Sequence, residues 1–152
     1  MSSKEIYLIE FLPGAWVSNI KVLSEKFLKQ KKINEIIDCH KDMNFFEGSE
    51  NYIESIKNEI KKTNHIKLHK YLVDITQHIH NNISNGNSFL IYDPFSIKKA
   101  PVILISYLMR YGHLTPAQTI QSYQSKSKLP LQISQDYQYA LKIFNSKVNS
   151  QN

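Results

Sequence analysis

The chain has one cysteine, Cys39, in 152 residues. It cannot form an internal disulfide, which excludes the disulfide-stapled scaffolds of small secreted proteins. No apolar run approaches the roughly 18 residues of a membrane-spanning helix. The N-terminal stretch MSSKEIYLIEF lacks the layout of a secretory signal. There is no repeat, low-complexity tract or internal linker. HExxH is missing, as is any second cysteine for a zinc site, so neither a metal nor another cofactor is expected. These absences leave a soluble protein working inside the cell, in cytoplasm or nucleus, away from membranes. It reads as one domain over residues 1–152, with flexible ends at about 1–5 and 146–152.

Hydrophobic residues make up 41% of the chain and charged residues 21%, an ordinary balance for a packed domain. Formal net charge is +6. That excess favours anionic partners such as phosphates, nucleic acid or acidic proteins. The lysines are spread along the chain, and many suit solvated helix faces.

Ser88–Tyr92 is an apolar run of strand length. A polar loop, Asp93–Ala100, follows. A helix is predicted from about Pro101 to Arg110, with Val102, Ile105, Leu108 and Met109 on one side. In α/β proteins, ligands bind outside the C-terminal ends of strands, where helix N-termini point. This junction is therefore the leading candidate site.

Before it, Ile6–Phe11 reads as a strand ended by Pro13-Gly14, and Asn34–Cys39 as a second strand. A helix is expected over Ile20–Gln30, capped by Ser18 or Asn19. His40–Asn51 reads as a polar turn region around Phe45 and Phe46. Asn51–His65 fits either a helix lined by Tyr52, Ile53, Ile56 and Ile60 or, in its first half, a strand. On either reading Lys57, Lys61 and Lys62 face solvent. A helix over Ile66–Asn81 carries Leu68, Leu72, Ile75 and Ile79, and Gly86 marks the turn after it. Beyond the junction, Gly112 is a candidate for the residue just past a helix end. Thr115-Pro116-Ala117-Gln118 has the form of a capping box with proline in the first turn. Lys126–Leu131 reads as a loop and Gln135–Asn145 as a last helix. The expected fold is α/β, a mostly parallel central sheet flanked by helices.

This order of elements resembles the cysteine-dependent protein phosphatases in their compact dual-specificity form. The family motif V-H-C-x-x-G-x-x-R-S is followed by about six mostly apolar residues and YLM. Here Ile91-Tyr92-Asp93-Pro94-Phe95-Ser96-Ile97-Lys98-Lys99-Ala100 precedes PVILIS and then Tyr107-Leu108-Met109, with no gap needed. The stretch KSKLPLQISQDYQYALKIF, Lys126–Phe144, is similar to the branch that removes the 5′ phosphate from RNA. EKFLKQKKINEIIDCHKDMNFF, from Glu25, resembles the strand before the substrate-lining loop of that branch. The resemblance implies a dual-specificity-phosphatase-like fold.

It also implies lost chemistry. The family attacks phosphorus with a thiolate at the strand end and holds the phosphoryl oxygens with an arginine fork. A glycine permits the anion-cradling turn, and an aspartic acid on another loop protonates the leaving oxygen. By register the nucleophile position is Asp93 and the histidine before it Tyr92. The glycine is Ser96, the arginine Lys99 and the hydroxyl residue Ala100. The general-acid region falls near Lys57-Asn58-Glu59. Pro101 removes one backbone donor at the helix start. Asp93 is expected either to accept hydrogen bonds from loop N–H groups, taking the place of a phosphate, or to pair with Lys98 or Lys99. Cys39 follows another strand and reads as a small buried residue.

His65 and His69 are four apart and His78 and His80 two apart, without further ligand-type partners in the pattern. The expected function is a catalytically inactive phosphatase-like domain that binds a protein partner or supports a complex. The alternatives are an RNA- or phospho-ligand-binding module using Lys98, Lys99, Lys126 and Lys128, and residual phosphatase activity.

Overall fold

The computed structural model describes residues 6–20, 24–46, 52–94, 97–128 and 131–149. Four strands, β1 (Leu8–Leu12), β2 (Ala15–Ser18), β3 (Ile33–Asp38) and β4 (Ser88–Tyr92), form one sheet in the order β1-β2-β4-β3. β1 and β2 are antiparallel, whereas β4 lies parallel to both β2 and β3. Among the described residues the helices are α1 (Glu25–Gln30), α2 (Cys39–Asp42), α3 (Glu54–Ser84), α4 (Ala100–Tyr111), α5 (Pro116–Ser127) and α6 (Gln135–Asn149).

β2 lies just before the expected Ile20–Gln30 helix, in a stretch to which the sequence assigned no element. Pro13-Gly14 makes a hairpin, with Gly14 at φ +89°, and Ala15 and Val17 enter the core. Ser18 and Asn19 are not helix caps. Ser18 pairs with Tyr92, and the Asn19 side-chain oxygen accepts the Tyr7 N–H at 2.8 Å. α1 starts later, at Glu25, where the Ser24 hydroxyl accepts the Phe27 N–H.

Strand alternation divides the sheet between two faces. Phe89 and Ile91 of β4, with Ala15, Val17 and Ile37 beside them, join the main core. Trp16 points to the opposite face, where Phe27 of α1 packs edge-on at 5.3 Å. The core is built around α4, which is buried on nearly every side from Ala100 through Ser106 and again at Leu108 and Met109. The expected one-sided apolar stripe understates this. A helix apolar all round belongs inside a layer, and α4 contacts α3, α5 and α6.

From Glu54 onward the ambiguous stretch and the helix after it form one 31-residue helix, α3, while Asn51 lies outside the described residues. Neither glycine nor proline interrupts it. Leu68, Leu72 and Ile79 are buried as expected, and Thr76 occupies a further buried position. Its hydroxyl donates to the Leu72 carbonyl at 2.6 Å. The residues expected to line its start do not enter the core, since Tyr52 and Ile53, just before α3, and Ile56 in its first turn are exposed. Lys61 does not simply face solvent, because its Nζ lies 3.4 Å from Asp136 Oδ2 on α6.

Other boundaries shift for local reasons. The turn expected from His40 begins as α2, with Asp38 Oδ1 accepting the Lys41 N–H at 3.1 Å. The capping box at Thr115 and Gln118 is present. Gly112 caps α4 with right-handed backbone, and the left-handed residue is His113 at φ 55°. The glycine answers to space: a Cβ there would lie 2.7 Å from the Leu108 carbonyl oxygen. α5 continues through Lys126 to Ser127, so the expected loop begins at Lys128, which is left-handed at φ 58°. α6 extends to Asn149, making residues 146–149 helical where a flexible end was expected.

Candidate functional site

Three parallel strands end level with one another, since Tyr92 pairs with Ser18 on one side and with Asp38 on the other. The next residues, Asn19, Asp93 and Cys39, are all buried. The Asp93 N–H extends the ladder by donating to the Ser18 carbonyl at 2.9 Å.

The Asp93 side chain turns toward the start of α4. Its Oδ2 accepts the N–H of Lys99 at 2.7 Å and that of Ala100 at 2.7 Å. A helix start leaves unpaired N–H groups that carry partial positive charge. α4 has no local side-chain cap, because its N-cap residue is Lys99. Asp93 supplies that function from six residues upstream. The other first-turn positions are also accounted for. Pro101 has no N–H, and the Val102 N–H donates to the Lys99 carbonyl at 3.0 Å.

Of the two expectations for Asp93, the geometry shows acceptance from the loop backbone. Burial pushes its carboxyl pKa above the ordinary value. The Ala100, Lys99 and Lys98 N–H groups and the Lys99 charge oppose that shift without cancelling it. The Lys99 Nζ donates to Asn44 Oδ1 at 3.1 Å, tying this turn to the segment after α2. Asn44 carried no signal in the sequence, since polar residues abound around it. Lys98 is exposed. Ser96 lies outside the described residues, while Tyr92 and Ala100 flank the turn as the register places them.

Cys39 sits at the end of β3 beside this turn, fully buried. Burial, with the charge of Asp93, pushes its thiol pKa well above the usual value. Tyr123 of α5 packs on Phe11 with ring centroids 5.1 Å apart. Its pKa is raised by burial, with smaller contributions from Tyr7 and Asp93. Lys126 and Lys128 are exposed at the end of α5, which is held from just before β1 by the Tyr7 hydroxyl donating to the Ser127 carbonyl at 2.8 Å. The four lysines thus divide: Lys99 is engaged with Asn44, whereas Lys98, Lys126 and Lys128 are exposed.

Glu59 is exposed on α3, in an open depression with Ile56 and Thr63. The histidines are dispersed among separate contacts. His65 packs on Phe46 and Tyr139, and His69 on Phe144. His78 meets Glu35 at 2.5 Å, and His80 stacks on Tyr111 at 4.0 Å. Among the described residues, no three His, Cys, Asp or Glu side chains converge to hold a metal. Among them too, no helix is long and apolar enough to cross a membrane.

No protein-family model matches the sequence, and no curated protein matches it. Solved structures do match. A leucine rich repeat and phosphatase domain containing protein from Entamoeba histolytica superposes with a TM-score of 0.68 at 18% identity, over 96% of this chain and 95% of that one. Human DUSP28 gives 0.67 at 12% identity, over 98% and 99%. Human tyrosine phosphatase-like serine/threonine/tyrosine-interacting protein gives 0.65 at 13% identity, over 93% and 97%. With the four-stranded mixed sheet, the β4–turn–α4 junction and the helices around them, the chain has the dual-specificity-phosphatase-like α/β fold.

Proposed function

We propose that this chain is a catalytically inactive protein of the phosphatase fold that works by binding a protein partner. The observation that carries the reading is the Asp93 carboxylate. It stands where the motif register puts a nucleophilic thiolate, and it accepts the first N–H groups of α4. Those donors are the groups a phosphate at this turn would use. A second negative group about 4 Å away would be opposed by several kcal/mol at an effective dielectric of about 20.

Two further facts support the reading. The chemistry requires a thiolate and a planar guanidinium fork. The chain has one cysteine and one arginine. Cys39 is fully buried after β3, and burial pushes its thiol pKa well above the usual value. Arg110 lies at the far end of α4, donating through one guanidinium nitrogen to the Val73 carbonyl at 2.7 Å and Thr76 Oγ1 at 3.1 Å. One structural neighbour is itself described as phosphatase-like and interacting.

The test is turnover by the purified chain of a small aryl phosphate and of triphosphate-ended RNA. The expected result is no release of phosphate above buffer. Asp93→Cys alone also fails to confer turnover, since Lys99 lacks the fork and Pro101 removes a donor. Phosphate release that Asp93→Ala abolishes would overturn the proposal. RNA binding that falls steeply with salt would favour the nucleic-acid alternative instead.

A further inference from the structure

A second feature lies away from the Asp93 turn, where the C-terminal half of α4 meets α5 and α6. A pocket of about 730 Å³ opens there. Its apolar wall includes Ile105, Met109 and Leu141, which belong to the main core, together with Ile120. That volume falls within the range of ligand sites, roughly 300 to 1,000 Å³. The pocket is open along one side: Ile120 is 38% exposed, and Pro116 and Gln132 on its margin are also exposed. An open-sided apolar slot between helices suits a side chain inserted from a segment running past it.

The polar margin constrains that segment. Lys142 lines the pocket and is exposed, and among the described residues that line it none is an aspartate or glutamate. The acidic residue nearest in sequence on α6, Asp136, is committed to Lys61. Gln138 donates through Nε2 to the Ile133 carbonyl at 2.7 Å, which leaves its amide oxygen able to accept a backbone N–H. An apolar slot with a cation and amides on its edge complements a peptide carrying a large apolar side chain beside a carboxylate.

We propose that the α4–α5–α6 pocket is the docking site for an acidic, amphipathic segment of the partner protein. The segment lays an apolar side chain on Ile120 at the open side of the pocket and pairs an Asp or Glu with Lys142. This inference rests on the protein-binding reading above and gives it a surface. The site is separate from the phosphatase-like turn. Ile105 and Met109 lie five and nine residues beyond Ala100, about 7 to 13 Å along the helix axis.

The experiment is selection of a random-peptide phage library on the full chain, followed by titration of the synthesised winners. Enriched peptides should combine Leu, Phe or Trp with Asp or Glu. Ile120→Asp and Lys142→Glu should each weaken them about tenfold or more. Both positions are exposed, and unchanged melting temperatures verify that the variants fold. Used as bait, the Lys142→Glu chain should select peptides bearing Lys or Arg in place of the acid, which a merely structural role for Lys142 would not produce. Enriched peptides that are neutral or basic, or that bind Ile120→Asp undiminished, overturn the assignment. If such peptides instead lose affinity for Lys98→Ala, docking is over the Asp93 turn, so the protein-binding reading stands and the pocket does not. Absence of any enrichment overturns the pocket, and Asp93-dependent phosphate release would remove the underlying reading as well.

Discussion

Asp93 performs two structural tasks at once. It continues the strand ladder through its N–H and caps α4 through its carboxylate. Asp93→Ala should therefore lower stability by about 1 to 2 kcal/mol, the usual cost of a lost helix cap, as read by denaturant unfolding. The same variant frees the donors at the turn. Added tungstate or inorganic phosphate should raise the melting temperature of Asp93→Ala and leave the parent chain unchanged. A shift of equal size in both would show that Asp93 does not occupy an anion cradle. His69 makes a separate case. Its ring lies against Phe144, its Nδ1 is buried without a hydrogen-bond partner, and burial lowers its pKa below 6.5. Below 6.5 the unfolded chain takes up a proton more readily than the folded one, so the stability present above 6.5 is lost as pH falls toward the folded value. His69→Leu should stabilise the protein, with a larger gain below pH 6.5 than above it. Equal gains at both would place the effect in packing alone.

The elements differ in how local their causes are. α5 was legible from four residues because proline in the first turn and the Thr115–Gln118 reciprocal bonds are near-neighbour chemistry. Thr115→Ala should cost about 1 kcal/mol in thermal unfolding. Gly112 is the converse case. Replacing a glycine of right-handed backbone by alanine ordinarily gains about 0.4 to 1 kcal/mol. Here the added Cβ would meet the Leu108 carbonyl at 2.7 Å, so Gly112→Ala should lower the melting temperature. β2 and α3 were less legible. β2 is four residues long and becomes a strand by pairing with β1 across the hairpin and with β4, which is remote in sequence. The first turns of α3 have no side-chain cap and leave Ile53 and Ile56 exposed, so their apolar pattern does not report a buried face. Periodicity marks burial, and a helix that runs beyond its core loses that mark.

At the scale of the whole molecule, long-range hydrogen bonds tie the outer helices to segments far away in the chain. The Tyr137 hydroxyl of α6 donates to the Met43 carbonyl at 2.9 Å, and Tyr7 similarly reaches Ser127. Tyr137→Phe leaves a buried carbonyl without that partner and should cost about 1 to 3 kcal/mol in denaturant unfolding. The basic excess of the chain is distributed over this surface, with Lys98, Lys126, Lys128 and Lys142 all exposed.

What the sequence by itself determined was the β4–turn–α4 junction, the α5 cap and the α/β class. Each rests on residues close together in the chain: an apolar run of strand length, a following helix, and capping side chains within one turn. The motif register also marked Tyr92, Asp93, Lys99 and Ala100 as the positions to inspect. Only the tertiary structure decided what those positions do. The choice for Asp93 between lysine pairing and N–H acceptance depends on the path of the turn, and the partner of Lys99 is Asn44, 55 residues away. The pocket beside Lys142 had no sequence signature, because three helices contribute to its walls. Spacing along one element shows which residues share a face, whereas the shape between elements follows from how they pack.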